Sequence, residues 1–402
     1  MNRQLQRNIP VLYAFSFFWL AMVIIPVMVP FFESRGLTLA EVFYLQAFFA
    51  FVVVLFEVPS GYVADMLGRR NALIAGSVFH AIGFTWLCFA DGFVELMIFE
   101  ALVGIGMSLL SGADLSLLYD TQEALEHDPG RRADGIANMR FIKSVAEGVS
   151  ALIGGVLIAW SFEVTIIANA LFAWVPLALS VMLVEAPFTR MEDGQHLGNL
   201  RKIVRHLYVD NRLLRRICLS ATLFGLMTFY VVWMLQPYWQ EQGVPLTAFG
   251  ILWASQSFLF AFVTRLAIPL ERRFGAVPVL LVMAALPVAG YLGMATAGGV
   301  LGILFSFTFF VSRGINSVIL ADALNRRIPS SYRATANSMT SFMFRGIYIV
   351  TGPIVGLLIE WQGMQTTFLV LALVAATLFV SLMLPMVADV REAEAANARA
   401  AG

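Results

Sequence analysis

Charged side chains stand in this sequence among oily neighbours. The stretch EVPSGYVADMLGRRNAL, residues 57–73, places Glu57, Asp65, Arg69 and Arg70 between the runs QAFFAFVVVLF and ALIAGSVFHAIGF. Glu147, Arg313 and Arg345 each lie inside a further apolar run, and Asp114, Asp120 and Asp322 lie at the ends of others. Carboxyls in such places can carry a proton, and arginines can bind an organic anion or pair with those carboxyls. Aromatic residues crowd FSFFW (15–19) and FYVVW (229–233), where Trp19, Tyr230 and Trp233 have the depth to line a cavity. Patterns for metal or phosphate chemistry are missing: no HExxH, no aspartate-rich metal motif, no Walker loop, and only four scattered histidines, His80, His127, His196 and His206. The expectation is a protein with no metal and no cofactor, which is not an enzyme and binds no nucleic acid.

Composition says what must position these groups. Hydrophobic residues make up 59% of the chain and charged ones 13%, against about 25% charged in soluble domains. This is the composition of a membrane protein. Runs of about 20 apolar residues, the length that crosses a ~30 Å hydrocarbon core, occur at 10–32, 43–64, 72–90, 94–117, 136–158, 162–184, 217–239, 247–270, 277–296, 299–322, 335–359 and 364–386. Backbone groups in lipid must be satisfied within the segment, and these runs are too long for barrel strands, so the spans are helices. Arg3 and Arg7 ahead of the first run give it the look of a secretory leader. The run is too long, however, and VPFFESRG offers no small-residue cleavage site, so a retained first helix is expected. Cys88 and Cys218 fall at opposite ends of their spans and are not expected to pair.

Basic residues are distributed unevenly over alternate loops. Arg35 is the only one in loops 33–42, 91–93, 159–161, 240–246, 297–298 and 360–363. The others, apart from Arg313 and Arg345, lie at the termini, in the remaining loops or at the span ends that face them. The positive-inside rule then places both termini in the cytoplasm, which twelve spans allow.

The longest polar interruption, 185–216, divides the spans six and six into 1–184 and 217–402. Within it Leu197, Leu200, Ile203, Val204 and Leu207 recur at helical spacing against Arg201, Lys202 and Arg205, the pattern of a basic helix lying on the membrane surface or of a plain linker. The halves repeat each other. Residues 132–160 align without a gap on 333–361, matching Arg132 to Arg333, Phe141 to Phe342, Gly155 to Gly356 and Trp160 to Trp361, while GMSLLSGAD (106–114) matches GINSVILAD (314–322). Parallel six-helix repeats of this kind are found in carriers built as two bundles about a central site.

Glycine, three residues, aspartate, two residues, glycine and two basic residues, here Gly61, Asp65, Gly68, Arg69 and Arg70 between spans 2 and 3, resembles the signature loop of the major facilitator superfamily. Met66 stands where that family usually has a basic residue, and the counterpart LERRFGAVPVLL (270–281) keeps Arg272, Arg273 and Gly275 without the aspartate. The resemblance implies an all-α fold of twelve transmembrane helices in two pseudo-symmetric bundles. It also implies that Asp65 faces the start of span 11, a latch on the cytoplasmic side that holds the outward-open state. Gly68 is expected to allow a tight reversal, Gly61 to admit a neighbouring helix, and Asp65 to accept from Arg69 and Arg70. A plainer reading leaves the arginines as topology markers balanced by Asp65. The helix-5 glycine-proline motif is replaced by Ser150, Ala151, Gly154 and Gly155, and Glu100 stands near the place of the family's helix-4 arginine.

Glu147 lies about 17 Å along span 5, Arg313 about 21 Å along span 10, and Glu57 about 12 Å from the inner end of span 2. Glu147 either serves the proton or substrate or pairs with Lys143 one turn before it. Glu57 either carries a proton or pairs with an inner arginine. By the family's pattern Arg313 and Arg345, the latter with Tyr348 one turn on, reach the cavity opposite Glu147. Asp114, Asp120 and Asp322 are expected as solvated gate contacts with Arg69, Arg70, Arg326 or Arg327. Few amides lie on the central spans, Gln256 and Asn316 chief among them, which suits an amphiphile better than a sugar. The expected function is secondary transport, a proton-driven efflux of a small amphiphilic molecule by a monomer in the cell membrane. The alternatives are an importer of an organic anion and a lipid-handling or non-transporting membrane protein on the same fold.

Overall fold

The computed structural model describes residues 2–187 and 204–401, which are helical almost throughout and contain no strand. The helices are α1 (Asn2–Leu20), α2 (Met28–Ser34), α3 (Leu39–Leu67), α4 (Arg69–Leu87), α5 (Phe93–Leu110), α6 (Ala113–Ala124), α7 (Pro129–Leu157), α8 (Phe162–Val181), α9 (Arg212–Glu241), α10 (Leu246–Phe274), α11 (Ala276–Thr296), α12 (Gly299–Arg326), α13 (Ser330–Leu378) and α14 (Leu384–Ala401). Local chemistry sets several starts. Thr38 and Glu41 form a reciprocal capping box before α3. Asp128, Ser161 and Asn211 each accept an amide of the first turn that follows them.

Nine stretches of the described residues are long and apolar enough to cross a membrane. The last of them contains Gly363, whose φ of 78° ends one traverse and begins another. Helices α4 and α7 are not among the nine, but at 19 and 29 residues they have the length to cross. The pattern agrees with the twelve spans read from the sequence.

Spans 1 and 4, expected as continuous runs, are each interrupted. In span 1, α1 ends at Leu20 and the helix resumes through a 3-10 turn, Ile25–Val27. Pro26 has no N–H to donate, and its ring crowds the carbonyl four residues back. The freed Ile24 amide donates to Asn169 Oδ1 of α8 at 3.2 Å. Irregular backbone at this depth is tolerated where protein encloses it, and Val23, Ile24 and Val27 are wholly buried. In span 4, Ser111 and Gly112, the latter with φ 80°, separate α5 from α6.

The chain forms two compact units, residues 1–192 with 244–258, and residues 193–243 with 259–402. Leu12, Phe15, Leu73, Leu110, Leu117 and Met139 build the core of the first. Phe224, Met283, Ile315, Ile319 and Leu320 build that of the second. Most of the expected surface helix, including Leu197 and Leu200, lies outside the described residues. Beyond it, Val204 and Arg205 are helical and His206–Asp210 makes a π-helical turn with Leu207 buried.

Candidate functional site

In the first unit one residue, Gly68 with φ 94°, separates α3 from α4. The opening amides of a helix have no partner within it. Those of Arg69 and Arg70 both donate to the carboxylate of Glu185, each at 2.8 Å, and a carboxylate there also meets the positive end of the helix dipole. The Arg69 guanidinium pairs with Asp120 of α6, and that of Arg70 donates to the Val181 carbonyl at 3.0 Å. Alongside, the Asn8 amide donates to Thr121 Oγ1 at 3.2 Å and to the Val184 carbonyl at 2.7 Å, while Val184 N–H donates back to Asn8 Oδ1 at 3.0 Å. Lys143 of α7 pairs with Asp114 at 2.5 Å. Six segments of the chain thus meet in one charged knot.

The pairing of Asp120 with Arg69 is among the contacts expected from the sequence; the capping of the two amides by Glu185 is an addition to them, and the side chain of Asp65 lies outside the described residues. Asp114 and Asp120 are not solvated: they are 2% and 8% exposed, because α6 packs against α1, α4 and α7, and the cations beside them offset the burial. Gly61 is exposed on the last turns of α3, and among the described residues no heavy atom comes within 4 Å of where a β-carbon would stand. Glu185 left a trace in the sequence that was not read, an acid directly after span 6 on the side crowded with basic residues.

Deeper in the first unit, Gln46 of α3 donates to Glu100 of α5 at 2.6 Å, with both side chains buried. A carboxyl enclosed among apolar helices with a neutral amide as its hydrogen-bond partner was not among the expected site residues. Trp19 stacks on His80 of α4 at 4.2 Å between ring centroids, and His80 in turn meets Phe84 edge-on. Trp19 is 4% exposed and so is packed into the bundle wall. Glu57 and Glu147 are half-buried on α3 and α7, and both take part in polar or electrostatic interactions.

In the second unit Tyr230 bonds Thr351 Oγ1 at 2.6 Å and stacks on Tyr348, with Phe229 edge-on to Tyr348 and to Trp233. Three expected cavity residues, Tyr230, Tyr348 and Trp233, therefore form one buried aromatic cluster. Arg313 lies over the Phe260 ring, 5.7 Å from its centroid, and Arg345 is half-buried on α13. Asp322 pairs with Arg326 one turn on at 2.5 Å. Arg216 of α9 pairs with Asp389 of α14.

Membrane-crossing helices in two units, with ionisable side chains paired among them, define the class as a polytopic membrane protein of the carrier type. The chain belongs to the Major Facilitator Superfamily, whose family model matches residues 11–353. It is 22% identical over 361 residues to the uncharacterized MFS-type transporter YxaM of Bacillus subtilis (strain 168), covering 86% of this chain and 88% of that one. It is 29% identical over 117 residues to the MFS-type transporter ppzB of Metarhizium rileyi (strain RCEF 4871), a match that takes in 28% of this chain and spans only 23% of that relative. Among solved structures, the nucleoside transporter NupG (D323A mutant) superposes with a TM-score of 0.79 at 13% identity, covering 95% of this chain and 99% of that one. A D-xylose-proton symporter does so at 0.70 and 14%, covering 93% and 96%. At such identities the likeness speaks for the fold. The protein is a multi-pass membrane transporter that moves small molecules by secondary transport.

Proposed function

We propose that the protein exports a small amphiphilic molecule in exchange for protons by alternating access. In this reading it is a monomer of the cell membrane with both termini in the cytoplasm. The observation that carries proton coupling is the Glu100–Gln46 pair. Its carboxyl is 4% exposed and hydrogen-bonded to a neutral amide, so gain or loss of a proton changes the charge that the surrounding helices must hold. The D-xylose-proton symporter of similar fold is proton-coupled by its own description. An amphiphile as cargo is supported by the scarcity of amides on the central spans, Gln256 and Asn316 chief among them. Residues 1–184 and 217–402 rock about the site, joined by 185–216, with the Gly61–Arg70 loop as the cytoplasmic latch. A second reading, import of an organic anion, is favoured by Arg313 and Arg345.

Proteoliposomes loaded with a fluorescent amphiphilic dye test this. An imposed pH gradient is expected to speed dye movement at least tenfold, and Glu100→Gln to remove that acceleration while the protein stays folded. Movement indifferent to the gradient in the unaltered protein, or an unchanged response in Glu100→Gln, overturns the coupling.

A further inference from the structure

At the end of each unit away from Gly68 and Gly275, the repeat places an arginine in the first and an amide in the second. Residues 29–39 align without a gap on 236–246, matching Pro30 to Pro237, Gly36 to Gly243 and Leu39 to Leu246. Gly36 and Gly243 both turn the chain with positive φ, 86° and 75°, and Leu39 and Leu246 both begin the next helix. Arg35 therefore corresponds to Gln242. In the first unit the Arg35 guanidinium lies over the Phe31 ring, pairs with Asp91 of the α4–α5 loop at 2.8 Å and reaches Glu163 at the start of α8 at 4.0 Å. One cation thus fastens three segments.

In the second unit Gln242 meets the corresponding loop alone, its Oε1 accepting the Gly299 amide at 2.6 Å. Beside it lies a cavity of about 260 Å³ between the ends of α9 and α11 and Gln365 of α13. Its accessible wall is polar, because Glu241, Gln242, Thr296, Gly298 and Gln365 are exposed or half-buried. The charge on that wall is negative only. Glu241 has neither an ion pair nor a side-chain hydrogen bond among the described residues, and no Lys or Arg lines the cavity. The last carbonyls of α11 lack partners within the helix and carry the negative end of its dipole. Those of Ala295 and Ala297 accept from Gln365 Nε2 and Tyr238 Oη, whereas those of Met294 and Thr296 accept from nothing among the described residues.

Such a wall selects a cation. The cavity is too wide for a bare metal ion, whose oxygens must converge to about 2.4 Å, and it falls below the roughly 300–1,000 Å³ of drug-sized sites. Its acceptors are spread over three helices, which a planar group with a fork of N–H donors meets better than a compact ammonium does. The first unit uses that same group at the matching position.

We propose that this cavity binds a small guanidinium compound from solution, which does for α9, α11 and α13 what Arg35 does in the first unit. The Glu241 carboxylate pairs with the guanidinium, and the open carbonyls at the end of α11 take its remaining N–H groups. With both termini in the cytoplasm, as proposed above, this end faces the exterior.

Ligand-observed NMR on the purified full chain in detergent, at fixed ionic strength, tests this with three probes: methylguanidinium, its neutral analogue methylurea, and tetramethylammonium, which keeps the charge without N–H donors. Methylguanidinium is expected to bind at least about tenfold more tightly than either of the others, the margin of a charge-assisted hydrogen bond. Glu241→Gln should weaken it by about the same factor, and Gln242→Arg, which supplies the first unit's own guanidinium, should abolish it. Glu360→Gln removes an acid just before Gly363 that does not line the cavity, and should change nothing. Equal binding of the three probes, unchanged binding in Glu241→Gln, an equal loss in Glu360→Gln, or tight binding retained in a folded Gln242→Arg overturns the proposal. Should Gln242→Arg fail to fold, the near-isosteric change at exposed Glu241 decides alone.

Discussion

The two halves share a plan and differ where their first and fourth helices cross the apolar core. In the first unit both are interrupted, at residues 21–24 and at Ser111–Gly112. Their counterparts in the second unit, α9 and α12, run unbroken for 30 and 28 residues. The interruption reaches into the neighbouring helix. At Gly154 of α7 a β-carbon would overlap the carbonyl oxygen of Val23, which the break in span 1 turns outward. In the alignment of 132–160 on 333–361 the matching residue is Val355, buried in α13. A broken helix demands glycine from its neighbour, and an unbroken one accepts a branched side chain. The repeat thus fixes the count of helices and their turns, while each half sets its own packing.

The largest effect should come from reversing that difference. Gly154→Val is expected to cost more than ~3 kcal/mol and yield little folded protein, since the opposing atom is backbone and cannot rotate away. Val355→Gly should cost about 2 kcal/mol, from lost burial and helix propensity. Thermal unfolding in detergent measures both, and equal losses would break the comparison. Next come the charged ends. Asp120→Ala removes the carboxylate that pairs with the Arg69 guanidinium in a largely enclosed knot and should cost about 3 kcal/mol. Asp322→Ala frees Arg326, whose side chain is 59% exposed, and should cost less than ~1 kcal/mol. A loss of similar size in the two variants would show that the halves tie their ends equally. Smallest is the helix start at Asp128, which has no such acid at the matching position, Pro329. The Arg131 amide, donating at 3.0 Å, holds the Asp128 carboxyl below the usual carboxylate range. Its contribution is present above the ordinary carboxylate pKa and is lost as pH falls through the depressed value. Asp128→Ala should therefore lower Tm slightly at neutral pH and not at all in strong acid, a difference that calorimetry at the two pH values reads.

The family and the all-helical membrane fold were legible because apolar runs of membrane length and the loop around Gly68 are local patterns. Pro26 was a local signal too, and it marks the break in span 1 that hydropathy alone passes over. The site was less legible. Glu100 and Gln46 lie 54 residues apart, and Arg69 and Glu185 116, so nothing in the spacing of either pair announces it. Asp120 stands among the expected partners of Arg69, but Asp65, the residue the motif brings forward, directs attention away from Glu185, which caps the start of α4. Lys143 likewise looked tied to its own helix, and its reach to Asp114 depends on how α6 packs against α7.

Asn8 has a consequence for the order of synthesis. Its side chain mimics a strand edge, giving to and taking from the backbone of Val184, which is made 176 residues later. While the ribosome is still producing the intervening helices, the first of them holds a polar group with its final partner not yet in existence. The leading bundle therefore closes only when its sixth helix has emerged, and a chain stalled before that point presents an unfinished seam to the insertion machinery.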